Sequence, residues 1–157
     1  MKDCIYNKNS YYEGLIQNLF GGSDGCFCLF MTFFYQLNQS VVFKIELEPC
    51  FRELCDIERE NCLILSQLLI EMGGDNKFCS HSKKFLSGYN VDYLKNFSKI
   101  FLYDIEKIEV HIIQIKSMIL KVDDENVKEK LISVLKNKQK CLKILRENYF
   151  KNNVLKN

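Results

Sequence analysis

The 157-residue sequence contains no tryptophan, one proline and seven glycines, so long stretches lack the two residue types that interrupt helices. The sequence contains similar numbers of basic and acidic residues, 22 and 20 respectively. The net charge of +2 therefore indicates no class of charged partner. We expect one soluble domain, residues 1–157, with an ordered core at about 11–150.

We also expect no secretory signal, and the sequence has no long apolar run. Its first ten residues have no apolar segment, and the longest run, residues 26–34, is too short to span a bilayer. Eight cysteines are present, but none stands in a Cys-x-x-Cys or zinc-binding spacing. We therefore predict reduced thiols in a cytoplasmic protein that binds no membrane. Lysines outnumber acids in residues 121–157, but without interleaved aromatics this predicts a solvated helix face rather than nucleic-acid binding.

The stretch around which the chain is organised is residues 47–74. Its apolar residues recur at alternating steps of four and three, which is typical of the inward face of a long helix. Pro49 is compatible with the first turn, and the Gly73-Gly74 pair predicts the end of this helix. Glu58 and Asn61 fall on the same inward face, where a carboxylate is rarely buried without a partner.

Three further helices and one short one are predicted around it. The short helix covers residues 11–20, and the next begins near residue 26, with Ser23 or Asp24 as its cap and a linker at residues 38–44. A third long helix carries an isoleucine-rich inward face, and Asp123-Asp124 caps a fourth. The inward face of the third consists of Phe101, Ile105, Ile108, Ile112, Ile115, Ile119 and Val122. The inward face of the fourth is interrupted by a lysine: Val127, Leu131, Val134, Lys138, Cys141 and Leu145.

This pattern predicts an all-α fold, a four-helix bundle with a short extra N-terminal helix. The polar residues 75–90 form its one long connection, which we expect to cross the end of the bundle. The tail after residue 150 is expected to fray. His81 and His111 are predicted to lie on the surface.

Several short segments carry a family resemblance. They are the Gly-Gly-Ser-Asp-Gly turn at residues 21–25, the Ile57-Glu58-x-x-Asn61 helix with its Met-Gly-Gly-Asp end, the Phe-Leu-Ser-Gly-Tyr-Asn loop at residues 85–90, and Val-Asp-Asp before the last helix. Together they resemble the ferritin-like superfamily, in particular small rubrerythrin- or bacterioferritin-like proteins of anaerobic bacteria. The resemblance covers about residues 11–150. It implies a bundle with a di-metal centre held by a Glu from each of two helices and a Glu-x-x-His from each of the other two.

Five of the six ligand positions implied by the resemblance carry other residues. In the order Glu, Glu-x-x-His, Glu, Glu-x-x-His, the positions hold Cys26, Glu58, Asn61, Ile108, Lys138 and Cys141. An ammonium at position 138 places positive charge where the cations would lie, and the Ile108 side chain has no donor atom. A different register of the third long helix would bring Asp104 or Glu109 inward, at the expense of the isoleucine face.

We therefore predict a non-catalytic protein that has lost its metal site, needs no cofactor and acts as a homodimer or through another protein. The alternative is a metal-binding or redox protein holding iron, manganese or zinc on Cys26, Glu58, Asn61 and Cys141. A third option is redox chemistry by the buried thiols. We also predict that Lys138 pairs with Glu58 in the core, and that Asn61 hydrogen-bonds to one of them.

Overall fold

A computed structural model describes residues 10–154, and this part of the chain contains five α-helices and no β-strand. The helices are α1 (Ser10–Gly21), α2 (Cys26–Phe43), α3 (Glu48–Glu71), α4 (Phe97–Lys121) and α5 (Glu125–Val154), with 3₁₀ turns at Ile45–Leu47 and Gly88–Asn90. The all-α class is thus confirmed. The predicted fraying after residue 150 is wrong as far as Val154. Residues 1–9, which include Cys4 and most of the segment considered for a secretory signal, lie outside the described residues.

Local sequence accounts for several helix ends. Pro49 lies in the first turn of α3, where its missing N–H costs no helical hydrogen bond. At the other end of α3, Gly73 adopts a positive φ of 76°, which favours glycine, and the Gly74 N–H donates to the Leu69 carbonyl at 2.9 Å. Asp124 caps α5 by accepting the Val127 N–H at 3.0 Å. These three predictions are confirmed.

The start and end of α2 differ from the prediction. Its N-cap is Gly25 without a side-chain cap, and the preceding Asp24 carboxylate pairs with Lys107. The linker predicted at residues 38–44 is wrong, since α2 continues to Phe43. Two polar side chains of that stretch bond within the helix, Asn38 to the Phe34 carbonyl at 2.7 Å and Ser40 to the Leu37 carbonyl at 2.8 Å.

The direction of each helix follows from two hydrophobic clusters at opposite ends of the packed helices. One cluster contains residues late in α3 and α4 but early in α5: Leu65, Leu68, Ile115, Met118, Val127 and Leu131. The other contains residues early in α3 and α4 but late in α5: Phe51, Leu54, Phe101 and Leu145. Helices α3 and α4 therefore run in the same direction, and α5 runs against both.

The connection between α3 and α4 must return along the helices because these two helices are parallel. It does so beside α2, with the Phe78 ring stacked on Phe27 at a centroid distance of 4.1 Å and the Tyr93 ring against Tyr35 at 4.9 Å. The prediction that residues 75–90 cross the end of the fold is therefore wrong. The spacing of apolar residues within each helix does not reveal whether two helices joined by a long connection are parallel.

Helix α1 holds the beginning of this connection. Gln17 donates to the Cys79 carbonyl at 2.6 Å, and Gly21 lies so close that a Cβ there would be 2.7 Å from the same oxygen. Helix α1 packs on α2 and α3. Between α1 and α4 this arrangement leaves a cavity of about 560 Å³.

One stretch of the described chain, Tyr11–Phe43, is long and apolar enough to cross a membrane by length and composition alone. Its most apolar window has a mean hydropathy of 1.3, and 39% of that window is buried. In the fold this stretch is divided into α1 and α2 by the turn at residues 22–25. Core helices of soluble proteins meet the same criterion, so the absence of a membrane partner stays a prediction.

Candidate functional site

The six positions singled out in the sequence all lie in the interior of the fold. Four different helices supply them, α2, α3, α4 and α5, and each side chain is 0% exposed: Cys26, Glu58, Asn61, Ile108, Lys138 and Cys141. The complete inward face that runs along α3, from Leu47 just before the helix to Met72 just after it, is buried, as its spacing predicts. The helix periodicity therefore brings these polar groups into the core.

The centre of the site is an ion pair between Glu58 on α3 and Lys138 on α5. The Lys138 Nζ donates to both carboxylate oxygens of Glu58, at 2.7 and 2.8 Å, and neither side chain is exposed to solvent. This is the pairing predicted from the sequence. Because both oxygens of Glu58 are engaged by one ammonium, the two charges neutralise each other directly.

Lys138 remains protonated in this environment. Burial by itself disfavours the ammonium, but the Glu58 carboxylate that it contacts through both oxygens favours it, and the pKa of Lys138 is raised above its ordinary value. A lysine that acts as a base or nucleophile needs the opposite shift. The electrostatics therefore favour a fixed internal cation over a reactive amine.

Two thiols flank the ion pair. The Cys141 Sγ lies 3.8 Å from Glu58 Oε1, and Cys26 interacts with both charged groups. Burial raises the pKa of Cys26 to about 12 and raises that of Cys141 as well. Both are therefore neutral thiols near pH 7, which opposes thiol chemistry because the thiolate is the reactive form.

Asn61 does not bond to the ion pair, so this part of the prediction is wrong. Its Oδ1 accepts from Asn137 Nδ2 at 2.9 Å, which joins α3 to α5 one residue before Lys138. Its buried Nδ2 has no hydrogen-bond partner within residues 10–154. Lys138 directs two of its donors to Glu58, and the adjacent Asn137 reaches the amide instead.

His111 is buried rather than on the surface as predicted, with 2% of its side chain exposed. Its Nε2 bonds to the backbone carbonyl of Asp24. Burial and, next, the charge of Lys138 lower the pKa of His111 to about 3, so the ring is neutral at physiological pH. His81 is exposed, in agreement with the prediction.

The burial of His111 reflects the orientation of α4 in the fold. The most deeply inward side chains along α4 follow one another at alternating steps of four and three residues. They are Asp104, Ile108, His111, Ile115, Met118 and Val122. Part of this row is displaced by one residue from the predicted isoleucine row. Ile105 and Ile119 of the predicted row are only partly buried. Glu109 points away from the core and pairs with Arg146 at 2.5 Å.

Asp104 is a second buried carboxyl group. The sequence predicted it to lie inward only in the alternative register of this helix. It accepts from Gln36 Nε2 at 3.2 Å, and its other oxygen has no partner within the described chain. Burial raises the pKa of Asp104 well above its ordinary value, so the fold favours the neutral, protonated form of this group. Gln36 follows Cys26, Leu29 and Phe33 along α2 at steps of three and four residues. This spacing indicates that its side chain lies on the inward face, where it can reach Asp104.

The donor set does not fit a di-metal centre. It offers one carboxylate, whose two oxygens are already bonded to an ammonium, and two neutral thiols. Hard divalent cations prefer several carboxylate and imidazole ligands. Within residues 10–154, no group of three or more His, Cys, Asp and Glu side chains is arranged to hold a metal ion.

Comparison of the chain with protein-family models, curated proteins and solved structures gives no significant match. The resemblance to the ferritin-like superfamily therefore stays a hypothesis that depends on the residues and contacts of this chain.

Proposed function

We propose that this protein is a ferritin-like four-helix bundle in which an internal ion pair takes the place of a di-metal centre. It acts without catalysis in the cytoplasm, by forming a homodimer or binding a protein partner. Two features support the bundle. All six positions of the family pattern are fully buried, and a long connection joins two parallel helices, α3 and α4, as in bundles with one crossover.

The observation that carries the proposal is the contact between Lys138 and Glu58. A metal ion entering this site has to displace a protonated lysine that donates to both oxygens of the only carboxylate in the set. The displaced ammonium would then be left in a desolvated core beside a second cation, which is strongly unfavourable. The ion pair therefore both fills and neutralises the space between the helices.

An exposed apolar surface supports a role in assembly. Large apolar side chains at the end of α2 and in the turn after it are well exposed: Val41, Val42, Phe43 and Ile45. Monomeric soluble proteins seldom leave such residues grouped in solvent. We expect light scattering to detect a dimer that Val42→Asp dissociates, whereas Leu120→Asp, at an exposed position on α4, leaves it intact. A monomer at all concentrations would contradict the homodimer and leave the partner protein as the assembly route.

Metal content tests the central claim. The purified, reduced protein is incubated with Fe²⁺, Mn²⁺ or Zn²⁺, desalted, and analysed for metal per chain by mass spectrometry. We expect far less than one ion per chain. Lys138→Glu removes the ammonium and adds a carboxylate opposite Glu58, so we expect this variant to retain more metal.

Two results would contradict the proposal. One or two tightly held ions per wild-type chain that are lost in Glu58→Gln would identify a metal protein with substituted ligands. Equal, low metal content in the wild type and in a folded Lys138→Glu variant would mean that the ammonium is not what excludes the cations. Circular dichroism of each variant establishes that it is folded.

A further inference from the structure

A second buried polar contact, separate from the Glu58–Lys138 ion pair, joins α2 to α4. Gln36 on α2 is 1% exposed and Asp104 on α4 is 0% exposed, and Gln36 Nε2 donates to Asp104 Oδ1 at 3.2 Å. The remaining polar atom of each side chain, Gln36 Oε1 and Asp104 Oδ2, has no hydrogen-bond partner within residues 10–154. Buried polar atoms are rarely left unpaired, so these two oxygens need an explanation.

The two unpaired oxygens can bond to each other only when Asp104 carries a proton. An amide oxygen and an ionised carboxylate oxygen both only accept hydrogen bonds, whereas a protonated carboxyl group has one O–H donor. One proton on Asp104 Oδ2 therefore supplies the single donor that both oxygens lack. The amide and carboxyl groups are flat, and the last torsion of each side chain has broad preferences, so their two edges can align.

The surroundings of Asp104 favour its protonated form. Burial raises the pKa of Asp104 well above its ordinary value; the bond from Gln36 opposes this shift, and the Asp92 carboxylate in the connection adds to it. From α3, the nearby Cys50 thiol brings no charge near pH 7, because burial and, next, Asp104 raise the pKa of Cys50 to about 12.

The other helices around Asp104 bring no charge that would hold it ionised. Helix α2 contains no charged residue from Cys26 to Phe43. On α4 itself, the Lys107 ammonium is already paired with the Asp24 carboxylate. The side chains that α5 contributes to the surrounding hydrophobic cluster are uncharged: Cys141, Leu142, Ile144, Leu145 and Tyr149.

The contact attaches the second half of α2 to α4. In the turn before α2, Asp24 is joined to α4 through its carboxylate by Lys107 and through its carbonyl by His111. Gln36 lies twelve residues further along the chain, which corresponds to about 18 Å at 1.5 Å per residue. The bond from Gln36 to Asp104 is therefore a separate attachment, on the half of α2 that ends in exposed apolar residues.

We propose that Gln36 and Asp104 form a proton-dependent latch between α2 and α4. The neutral Asp104 donates from Oδ2 to Gln36 Oε1 while Gln36 Nε2 donates to Oδ1, so that two hydrogen bonds close a ring. When the proton passes from Oδ2 to water, two acceptors face each other and one of the two hydrogen bonds is lost. The latch then opens, and the second half of α2 is held less firmly against α4.

Nuclear magnetic resonance of the full chain labelled with carbon-13 and nitrogen-15 tests the latch atom by atom. The Asp104 Cγ shift reports the ionisation state, and the Gln36 Cδ shift reports a hydrogen bond accepted by Oε1. At pH 7 we expect Asp104 Cγ at the position of a protonated carboxyl group. We expect Gln36 Cδ to be shifted downfield of the Cδ of Gln39, a partly exposed residue of the same helix.

Two substitutions at position 104 separate the latch from a single hydrogen bond. Asp104→Asn offers one donor and one acceptor at every pH, so Gln36 Cδ should keep its wild-type position. Asp104→Leu offers neither, so the downfield shift of Gln36 Cδ should be lost. Asp56→Asn, at an exposed position on α3, is the control and should leave the Gln36 signals unchanged.

Raising the pH tests the opening of the latch. We expect Asp104 Cγ and Gln36 Cδ to move with one common midpoint. Above it, backbone amides in the second half of α2 should exchange hydrogen about tenfold faster in the wild type than in Asp104→Asn at the same pH, which corresponds to the loss of one hydrogen bond. Equal exchange above the midpoint would overturn the latch.

Three other results would overturn the proposal. Asp104 could be ionised at pH 7, as it would be if a water molecule donated to both oxygens. Gln36 Cδ could differ between the wild type and a folded Asp104→Asn, or could stay still while Asp104 titrates. If the wild type unfolds before Asp104 loses its proton, the Asp104 Cγ shift and the asparagine variant at pH 7 decide the question.

Discussion

Replacing the two members of the buried ion pair singly and together tests whether they depend on each other. Lys138→Met and Glu58→Leu each keep much of the side-chain volume but leave one uncompensated charge in a core with no solvent access. The loss of one partner of a buried pair typically costs about 3–5 kcal/mol. The double variant has no charge left to desolvate, so we expect its free energy of unfolding to return to within about 1 kcal/mol of the wild type.

The two single variants should also respond to pH in opposite directions. In Lys138→Met, the unpaired Glu58 can escape its penalty by taking up a proton, so the folded state binds more protons than the unfolded state and stability recovers as pH falls. In Glu58→Leu, the unpaired Lys138 escapes by releasing a proton. The unfolded state then binds more protons, and stability recovers as pH rises.

Urea unfolding followed by far-ultraviolet circular dichroism measures both effects. An exposed pair on the same two helices provides a matched control, since Lys140 and Glu53 are 2.8 Å apart with 58% and 47% of their side chains exposed. The corresponding Lys140→Met and Glu53→Leu cycle should give a coupling energy below about 1 kcal/mol. For the buried pair we expect about 3 kcal/mol or more. Additive losses in the buried pair would refute the argument that the two charges stabilise each other.

Three further predictions concern activity, thiols and the second buried acid. We expect no Fe²⁺ oxidation or peroxide consumption above background, because five of the six implied ligand positions carry other residues; saturable turnover that disappears in Glu58→Ala would contradict this. Seven cysteines are free thiols in the described chain, so adding a reductant should leave the helical signal unchanged, and a loss of that signal would mean that disulfides support the fold. Burial raises the pKa of Asp104, so the folded state holds its proton more tightly and stability falls as pH rises from about 4 towards the raised value. Asp104→Asn should therefore be more stable than the wild type at pH 7, with the difference vanishing near pH 4. A stability difference that does not vary with pH would exclude the neutral acid.

The amino-acid sequence determined the helices and the inward position of Glu58 and Lys138. Each helix has a fixed period, so the apolar residues of α3 and α5 define one face, and a charged residue on that face must enter the core. Glycine at the end of α3 and Asp124 at the start of α5 act within one turn, so their effects could also be inferred without tertiary structure.

Helix α4 illustrates what the sequence left open. Its apolar residues extend around most of the helix, and Leu102, Ile113 and Leu120 are more than half exposed in the fold. Two neighbouring rows therefore satisfied the helical period almost equally well. The contacts of α4 with α5 and of Asp104 with Gln36 on α2 decided which row faces inward, and they brought Asp104 and His111 into the core.

The partner of Asn61 and the path of the long connection were likewise decided by tertiary structure. Periodicity places a side chain on a face, but its hydrogen-bond partner depends on the axial position of the neighbouring helix, which brings Asn137 within reach. The path of residues 75–90 depends on the parallel arrangement of α3 and α4, which results from packing between residues far apart in the chain. Local sequence determines the conformation of each segment, whereas the relative position of segments is set by the burial of side chains that only the folded chain brings together.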